Sequence, residues 1–284
     1  MAILSLRGRK AVVAIQSIFW RIVRRGSMVG LSCALLAACS QKPTDAHHLR
    51  VGVIAGPEAT LVEVAAKQAK RAGLILQIVQ FSDYNLPNAA LADGSLDANI
   101  FQHKPYLEEQ MKEHHYPLVA IGRTFVYPMG IYSKRIHTLS GMPVGARIAV
   151  PNDPTNEARA LLLLEHGGLI VLKSGVGTNA TVRDIDMNPR HLRIVELDAA
   201  QLPRVLNDVA AAVINTNYAV PAGLSPNQAI YREGSDSQYA NLVVVRDGTE
   251  DDPRFGILLR ALHSQAVVQK ADVLFGPGGA IPAW

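Results

Sequence analysis

The stretch ARIAVPNDPTNEARALLLLEHGG, residues 146–168, contains a complete strand-to-helix unit and decides the reading of the whole chain. ARIAV is a short apolar run of the kind that forms a buried strand. Asp153 suits a helix N-cap and Pro154 the first helical position, where a missing N–H costs nothing; Gly167 and Gly168 supply the stop. The first turn of such a helix carries free N–H groups and the positive end of the helix dipole. Arg159 lies one turn further in, and helical side chains lean back toward the N-terminus. A guanidinium and a set of free N–H groups are therefore expected to converge on one spot and hold an anion.

The same alternation extends in both directions. Upstream, LRVGVIA (49–55) reads as a strand, Glu58 to Arg71 as a helix ended by Gly73, and LILQIVQF (74–81) as a second strand. A short helix over Pro87 to Ala92 leads to the strand LDANIF (96–101), and Pro105 opens another helix. LVAIGRTFVYP (118–128) and GIYS (130–133) are extended. Downstream come LRIVELD (192–198), a helix near Pro203 to Asp208, VAAAVIN (209–215), ANLVVVRD (240–247) and helices across 253–275. This rhythm predicts an α/β protein with mainly parallel sheets covered on both faces, and its restart at Ala146 predicts two lobes.

The formal charge of +4 is set by the first 38 residues, which hold six basic residues and no acid. The remaining 22 basic residues face 24 acidic ones, so the rest of the chain is slightly acidic and a nucleic-acid role loses its main support. RIVRR, then the uncharged GSMVGLSCALLAA, then Cys39 describe a secretory signal peptide over residues 1–38. The ending LLAAC resembles the bacterial lipobox, which makes Cys39 the lipidated new N-terminus; the competing reading is an ordinary signal peptide with a chance cysteine. The upstream apolar run AVVAIQSIFW reads as an extended leader or an over-long start. Residues 39–48 read as a lipid-anchored flexible tether, in which His47 and His48 are solvated. The only other cysteine, Cys33, falls in the leader, so neither disulfides nor thiol chemistry is expected downstream of Cys39.

Ligands of open α/β sheets bind beyond the carboxyl ends of strands. Phe101 and His103 are two apart at one such end, Tyr106 follows in the first turn after Pro105, and Tyr84 follows the end of the preceding strand. An aromatic wall is expected there, with core packing as its competing explanation. No HExxH or similar metal spacing and no GxSxG elbow occurs, so neither metal nor catalytic residues are expected, and His103 reads as part of a pocket wall. Asn215 ends an apolar strand and Asn241 begins one; each amide can donate and accept, which suits a zwitterion, although turn geometry alone also explains them. Arg159 fits bidentate capture of a carboxylate, against a salt bridge to an acid such as Glu63 or Glu157. Together these groups fit a free amino acid with an apolar side chain, and a thioether suits an aromatic box.

RVGVIAGPEATLVEVA, FSDYNLPNAAL, LDANIFQHKPYLEEQ, AVPNDPTNEARALLLLEHGGLI, AVINTNYA and YANLVV resemble the methionine-binding lipoproteins of ABC importers, the MetQ/NlpA family. Glu157-Ala158 stands where some relatives have a leucine-glycine pair. The resemblance implies a two-lobed periplasmic-binding-protein (type II) clamshell, with residues 49–127 plus 240–284 as one lobe and 128–239 as the other. It implies a monomeric, non-enzymatic lipoprotein without cofactor, anchored to a bacterial membrane and facing the periplasm or exterior. Such a protein delivers L-methionine to a permease driven by a separate ATPase. Arg159 would hold the carboxylate, Asn215 and Asn241 the amino-acid backbone, and Tyr84, Phe101, His103 and Tyr106 the side chain. D-methionine or a methionine-containing dipeptide remains an alternative ligand within the family. An exported hydrolase or a structural surface lipoprotein is the alternative outside it.

Overall fold

The structure, a computed structural model, describes residues 46–284 except Ser235. The expected leader, Cys39 and the tether as far as residue 45 lie outside the described residues. The chain runs β1 (His48–Ile54), α1 (Pro57–Arg71), β2 (Ile75–Phe81), α2 (Pro87–Ala92), β3 (Ala98–His103), α3 (Lys104–His114), β4 (Leu118–Val126), β5 (Gly130–Tyr132) and β6 (Arg147–Pro151). It continues through α4 (Pro154–His166), β7 (Val171–Leu172), β8 (Ile185–Met187), β9 (Arg193–Leu197), β10 (Ala211–Ile214), α5 (Thr216–Ala219) and β11 (Tyr231–Arg232). β12 (Ala240–Arg246), α6 (Pro253–Leu262), α7 (Gln265–Phe275) and β13 (Ile281–Pro282) complete it. His48 already belongs to β1, so the strand starts one residue before the expected boundary. The helix expected near Pro203 to Asp208 is a single 3₁₀ turn over Arg204–Asn207.

Two principal sheets result, with strand orders β13-β4-β12-β3-β1-β2 and β11-β5-β10-β6-β9. Each is mixed. β1 pairs in parallel with β2 and β3, and β6 with β9 and β10, where a crossover links the strands. β12 runs antiparallel to both β3 and β4, and β5 runs antiparallel to β10 and β11. The antiparallel strands are those that leave one sheet for the other or return from it. The chain makes this passage twice, between β4 and β5 and between β11 and β12.

Both faces of each sheet are buried, and side-chain alternation shows it directly. In β12, Val243 and Val245 join the core with α1, α6 and α7, while Leu242 and Val244 join Leu91, Leu96 and Leu107 on the opposite face. In β10, Ala211 and Val213 pack with α4, whereas Ala212 and Ile214 pack with Leu202 and Leu206. Strands buried on both faces read as continuous apolar runs, as VVV and AAAVI do. Burial of these runs fixes the strand ends, and the strand ends carry the polar groups described next.

Candidate functional site

β3 ends where α3 begins, and His103 is the hinge between them. Its backbone is extended, and its ring Nδ1 caps the helix by accepting the Tyr106 N–H at 3.3 Å. Because β12 runs antiparallel beside β3, its first residues lie against the last of β3, and Asn241 pairs with His103. The loop after β2 brings Tyr84 to the same edge. From the second sheet, β6 feeds α4 with Asn156 and Arg159 in its first two turns, and β10 ends at Asn215. Tyr84, Phe101, His103, Tyr106, Arg159, Asn215 and Asn241 all line one pocket, joined by Gln102, Tyr127, Asn156, Thr216 and Asn217. The seven residues singled out by sequence are only 4–9 % exposed, so the pocket is walled by buried side chains.

One wall is aromatic. Tyr84, Phe101 and Tyr106 have ring centroids 5.8–6.0 Å apart, and Tyr106 stands edge-on to the other two. Tyr218, in α5 after β10, lies 5.0 Å from Tyr84, and Tyr239 lies 5.0 Å from His103. The two sheets are also joined across the pocket by polar contacts. Tyr84 Oη donates to Asn217 Oδ1 at 2.7 Å, and His103 Nε2 meets Asn156 Oδ1 at 3.3 Å.

The amides opposite the aromatic wall are oriented from behind by carboxylates. The Asp153 carboxylate accepts Asn156 N at 3.0 Å, and its two oxygens, at 2.9 and 3.0 Å, share an N–H of Asn156 Nδ2. Asn156 must therefore turn Oδ1 inward, where it accepts Asn215 Nδ2 at 2.9 Å. Asn215 Oδ1 is left buried without a protein donor. The same logic assigns the His103 tautomer: Nδ1 accepts from Tyr106, so Nε2 carries the proton and donates to Asn156. Burial, assisted by the nearby Arg159 charge, pushes the His103 pKa down to about 3, and the ring is neutral. Glu58, at the start of α1, accepts Asn241 Nδ2 at 2.9 Å and so leaves Asn241 Oδ1 as a free acceptor. Burial raises the Glu58 carboxyl to about 8, against the opposing effect of Asn241, and its second oxygen is unpartnered.

Arg159 departs from expectation. Its partner is neither Glu63, which is exposed, nor Glu157, which accepts the Val182 N–H. Nε donates to Glu233 Oε1 at 2.7 Å, and Nη2 donates to Glu233 Oε2 at 2.6 Å and to Tyr127 O at 3.0 Å. The guanidinium also stacks on Tyr239, 4.3 Å from the ring centroid. Bidentate capture of a ligand through the Nε/Nη2 edge is thus precluded, and Nη1 is the nitrogen left without a protein acceptor. Burial opposes the Arg159 charge, but the adjacent Glu233 carboxylate outweighs it and raises the pKa further. Nor is the start of α4 left entirely to an external anion, because the Asp153 side chain already caps the Asn156 N–H.

Sequence reasoning missed Asn156, Asn217, Tyr218, Tyr239, Glu58 and Glu233. Asn156 and Asn217 were within reach, since they lie one helical turn before Arg159 and two residues after Asn215. Glu233 carries no local signal: it follows β11, 74 residues beyond Arg159. Among the described residues no group of three or more His, Cys, Asp or Glu side chains is placed to hold a metal, and no helix is long and apolar enough to cross a membrane.

An α/β chain that passes twice between two mixed sheets and encloses a polar and aromatic pocket between them has the fold of the periplasmic substrate-binding proteins. Residues 49–284 match the NlpA lipoprotein family, and the chain belongs to it. It is 49% identical over 263 residues to the D-methionine-binding lipoprotein MetQ of Escherichia coli O157:H7, covering 91% of this chain and 96% of that one. Among solved structures, it is similar to a periplasmic substrate-binding protein of an ABC transporter from Coxiella burnetii, with 59% identity, a TM-score of 0.80, and coverage of 83% and 100%. It is likewise similar to a nutrient-binding protein from Burkholderia cenocepacia bound to methionine, with 49% identity, a TM-score of 0.81, and coverage of 83% and 100%.

Proposed function

We propose that this protein is the substrate-binding lipoprotein of an ABC importer and that it captures L-methionine between two lobes, residues 49–127 with 240–284 and residues 128–239. The pairing of an apolar aromatic wall with inward-facing amide acceptors and one free arginine nitrogen carries this reading. Arg159 Nη1 meets the ligand carboxylate, Asn215 Oδ1 and Asn241 Oδ1 accept from the ammonium, and the thioether lies against Tyr84, Phe101 and Tyr106. Sulfur–aromatic contacts contribute roughly 0.3–1.5 kcal/mol each. His103, held neutral, fills the wall without adding a charge.

The ligand enters with the lobes apart, and closure about residues 127–132 and 235–239 brings the two sheets' polar groups to it. Excluding water strengthens the arginine–carboxylate attraction. The closed surface then docks on the permease, whose separate ATPase drives transport, while lipid on Cys39 holds the protein at the membrane. The methionine named for the relatives above supports the choice of ligand.

Calorimetric titration of L-methionine into protein unfolded and refolded to strip bound ligand tests the proposal. Tight one-to-one binding is expected. Absence of heat from correctly folded protein refutes it. Since the Escherichia coli relative is named for D-methionine, the D-enantiomer belongs in the same titration. The account expects it to bind more weakly, because inversion at Cα moves the ammonium away from the two amide oxygens.

A further inference from the structure

The one arginine of the pocket has its charge cancelled before any ligand arrives. Arg159 is the only cation among the lining residues, and Glu233 already neutralises it at 2.6–2.7 Å. Glu233 is itself held in place, since its Oε2 also accepts the Met129 N–H at 2.9 Å and the Ser237 hydroxyl at 3.2 Å. Met129 and Ser237 lie on the two different passages between the sheets, so the ion pair is fixed from both. His103 is neutral, and Glu58 is protonated below about pH 8. Asp153 lies behind Asn156, its carboxylate taken up by Asn156 and Thr155 at the start of α4.

An arginine with no counter-ion would favour any carboxylate. An arginine already paired does not, because a second carboxylate adds a negative charge without a partner among buried side chains, where an uncompensated charge is costly. We propose that Glu233 sets the charge selectivity of the pocket: by neutralising Arg159 in place, it makes the site accept a ligand whose own charges cancel and refuse one that carries a carboxylate without an ammonium. Glu233 acts through Arg159 and is a positioning and specificity residue. This inference rests on the amino-acid reading of the pocket and adds to it the requirement for a zwitterion.

The test compares L-methionine with its des-amino analogue, which keeps the thioether and the carboxylate, by calorimetry on the wild type, E233Q and E233D. In the wild type the analogue binds far more weakly than methionine. E233Q narrows that ratio of dissociation constants by about tenfold or more, because the analogue then meets an uncompensated cation. E233D keeps the charge and keeps the ratio. If E233Q weakens both ligands alike and the ratio stays within about threefold, Glu233 only holds Arg159 in position and the inference is overturned.

A wild-type measurement covers the case in which E233Q does not fold. Between about pH 5.5 and 7 the analogue's affinity should fall about tenfold per pH unit, since it enters as the neutral acid, whereas methionine binding stays flat. A flat profile for the analogue overturns the inference even where methionine binds tightly. Failure of methionine to bind the wild type overturns the ligand reading itself.

Discussion

Asn156 joins the two sheets, and its removal gives the most informative perturbation. Its Oδ1 serves Asn215 Nδ2 at 2.9 Å and His103 Nε2 at 3.3 Å, while its Nδ2 is anchored to the Asp153 carboxylate. Asn156→Ala strands two buried donors, and an unsatisfied buried group costs about 1–3 kcal/mol. Water entering the space left by the amide recovers part of this, so a loss of about 2–4 kcal/mol is expected. The His103 contact spans the two sheets, so under the proposed opening it separates and both donors reach water. The cost therefore falls on closure, and the affinity for L-methionine should drop about 30- to 1000-fold with little change in the melting temperature of the unliganded protein. Asn156→Asp keeps the acceptor but turns an oxygen toward Asp153, so its affinity should also fall, and further as pH rises above about 5. Calorimetry and thermal unfolding of the two variants decide the matter. Binding by Asn156→Ala within about threefold of the wild type would refute the reasoning.

Other perturbations follow from the same geometry. Arg159→Ala should abolish measurable methionine binding and also lower stability by about 1–3 kcal/mol, because it leaves the partly buried Glu233 without its cation; urea unfolding measures the second effect. Glu58 is raised from 4.5 to about 8, so its folded form binds the extra proton between those values. Its contribution is complete below the unfolded pKa and lost as pH rises through 8, at up to about 1.4 kcal/mol per pH unit. Glu58→Gln mimics the protonated carboxyl, and its urea midpoint should fall less between pH 5 and 8 than that of the wild type. Cys39→Ser should abolish incorporation of labelled palmitate and release the protein from the membrane fraction. Small-angle scattering should show a smaller radius of gyration with methionine than without.

Much of this organisation can be read from sequence, for identifiable reasons. Asp153 and Pro154 announce the start of α4 because capping depends on neighbours three residues away. Phe101, His103 and Tyr106 cluster legibly because a period of two followed by a helix start places them at one strand end. Asn215, at the carboxyl end of β10, joins them by the rule that ligands bind where strands end, whereas Asn241, at the amino end of β12, does not follow from that rule. What sequence did not show is pairing between distant segments. β12 lies antiparallel beside β3 because the chain returns from the second sheet, and nothing in NLVVV states its neighbour. Arg159 was expected to lean toward its own helix start, but Glu233 and Tyr127 on the connecting segments draw it away. Glu157, a candidate partner from sequence, lies two residues away on the helix, points elsewhere and accepts the Val182 N–H instead. Glu58 escaped notice because its role, orienting Asn241, spans 183 residues.

The central claim is that methionine lies with its thioether among Tyr84, Phe101 and Tyr106 and its carboxylate at Arg159 Nη1. A crystal structure of the refolded protein soaked with L-selenomethionine would test it most directly, since anomalous scattering locates the selenium independently of the rest of the ligand. One selenium peak within the three aromatic rings and carboxylate density beside Nη1 are expected. A selenium peak outside those rings, or a carboxylate in place of Glu233 on the Nε/Nη2 edge, would contradict it.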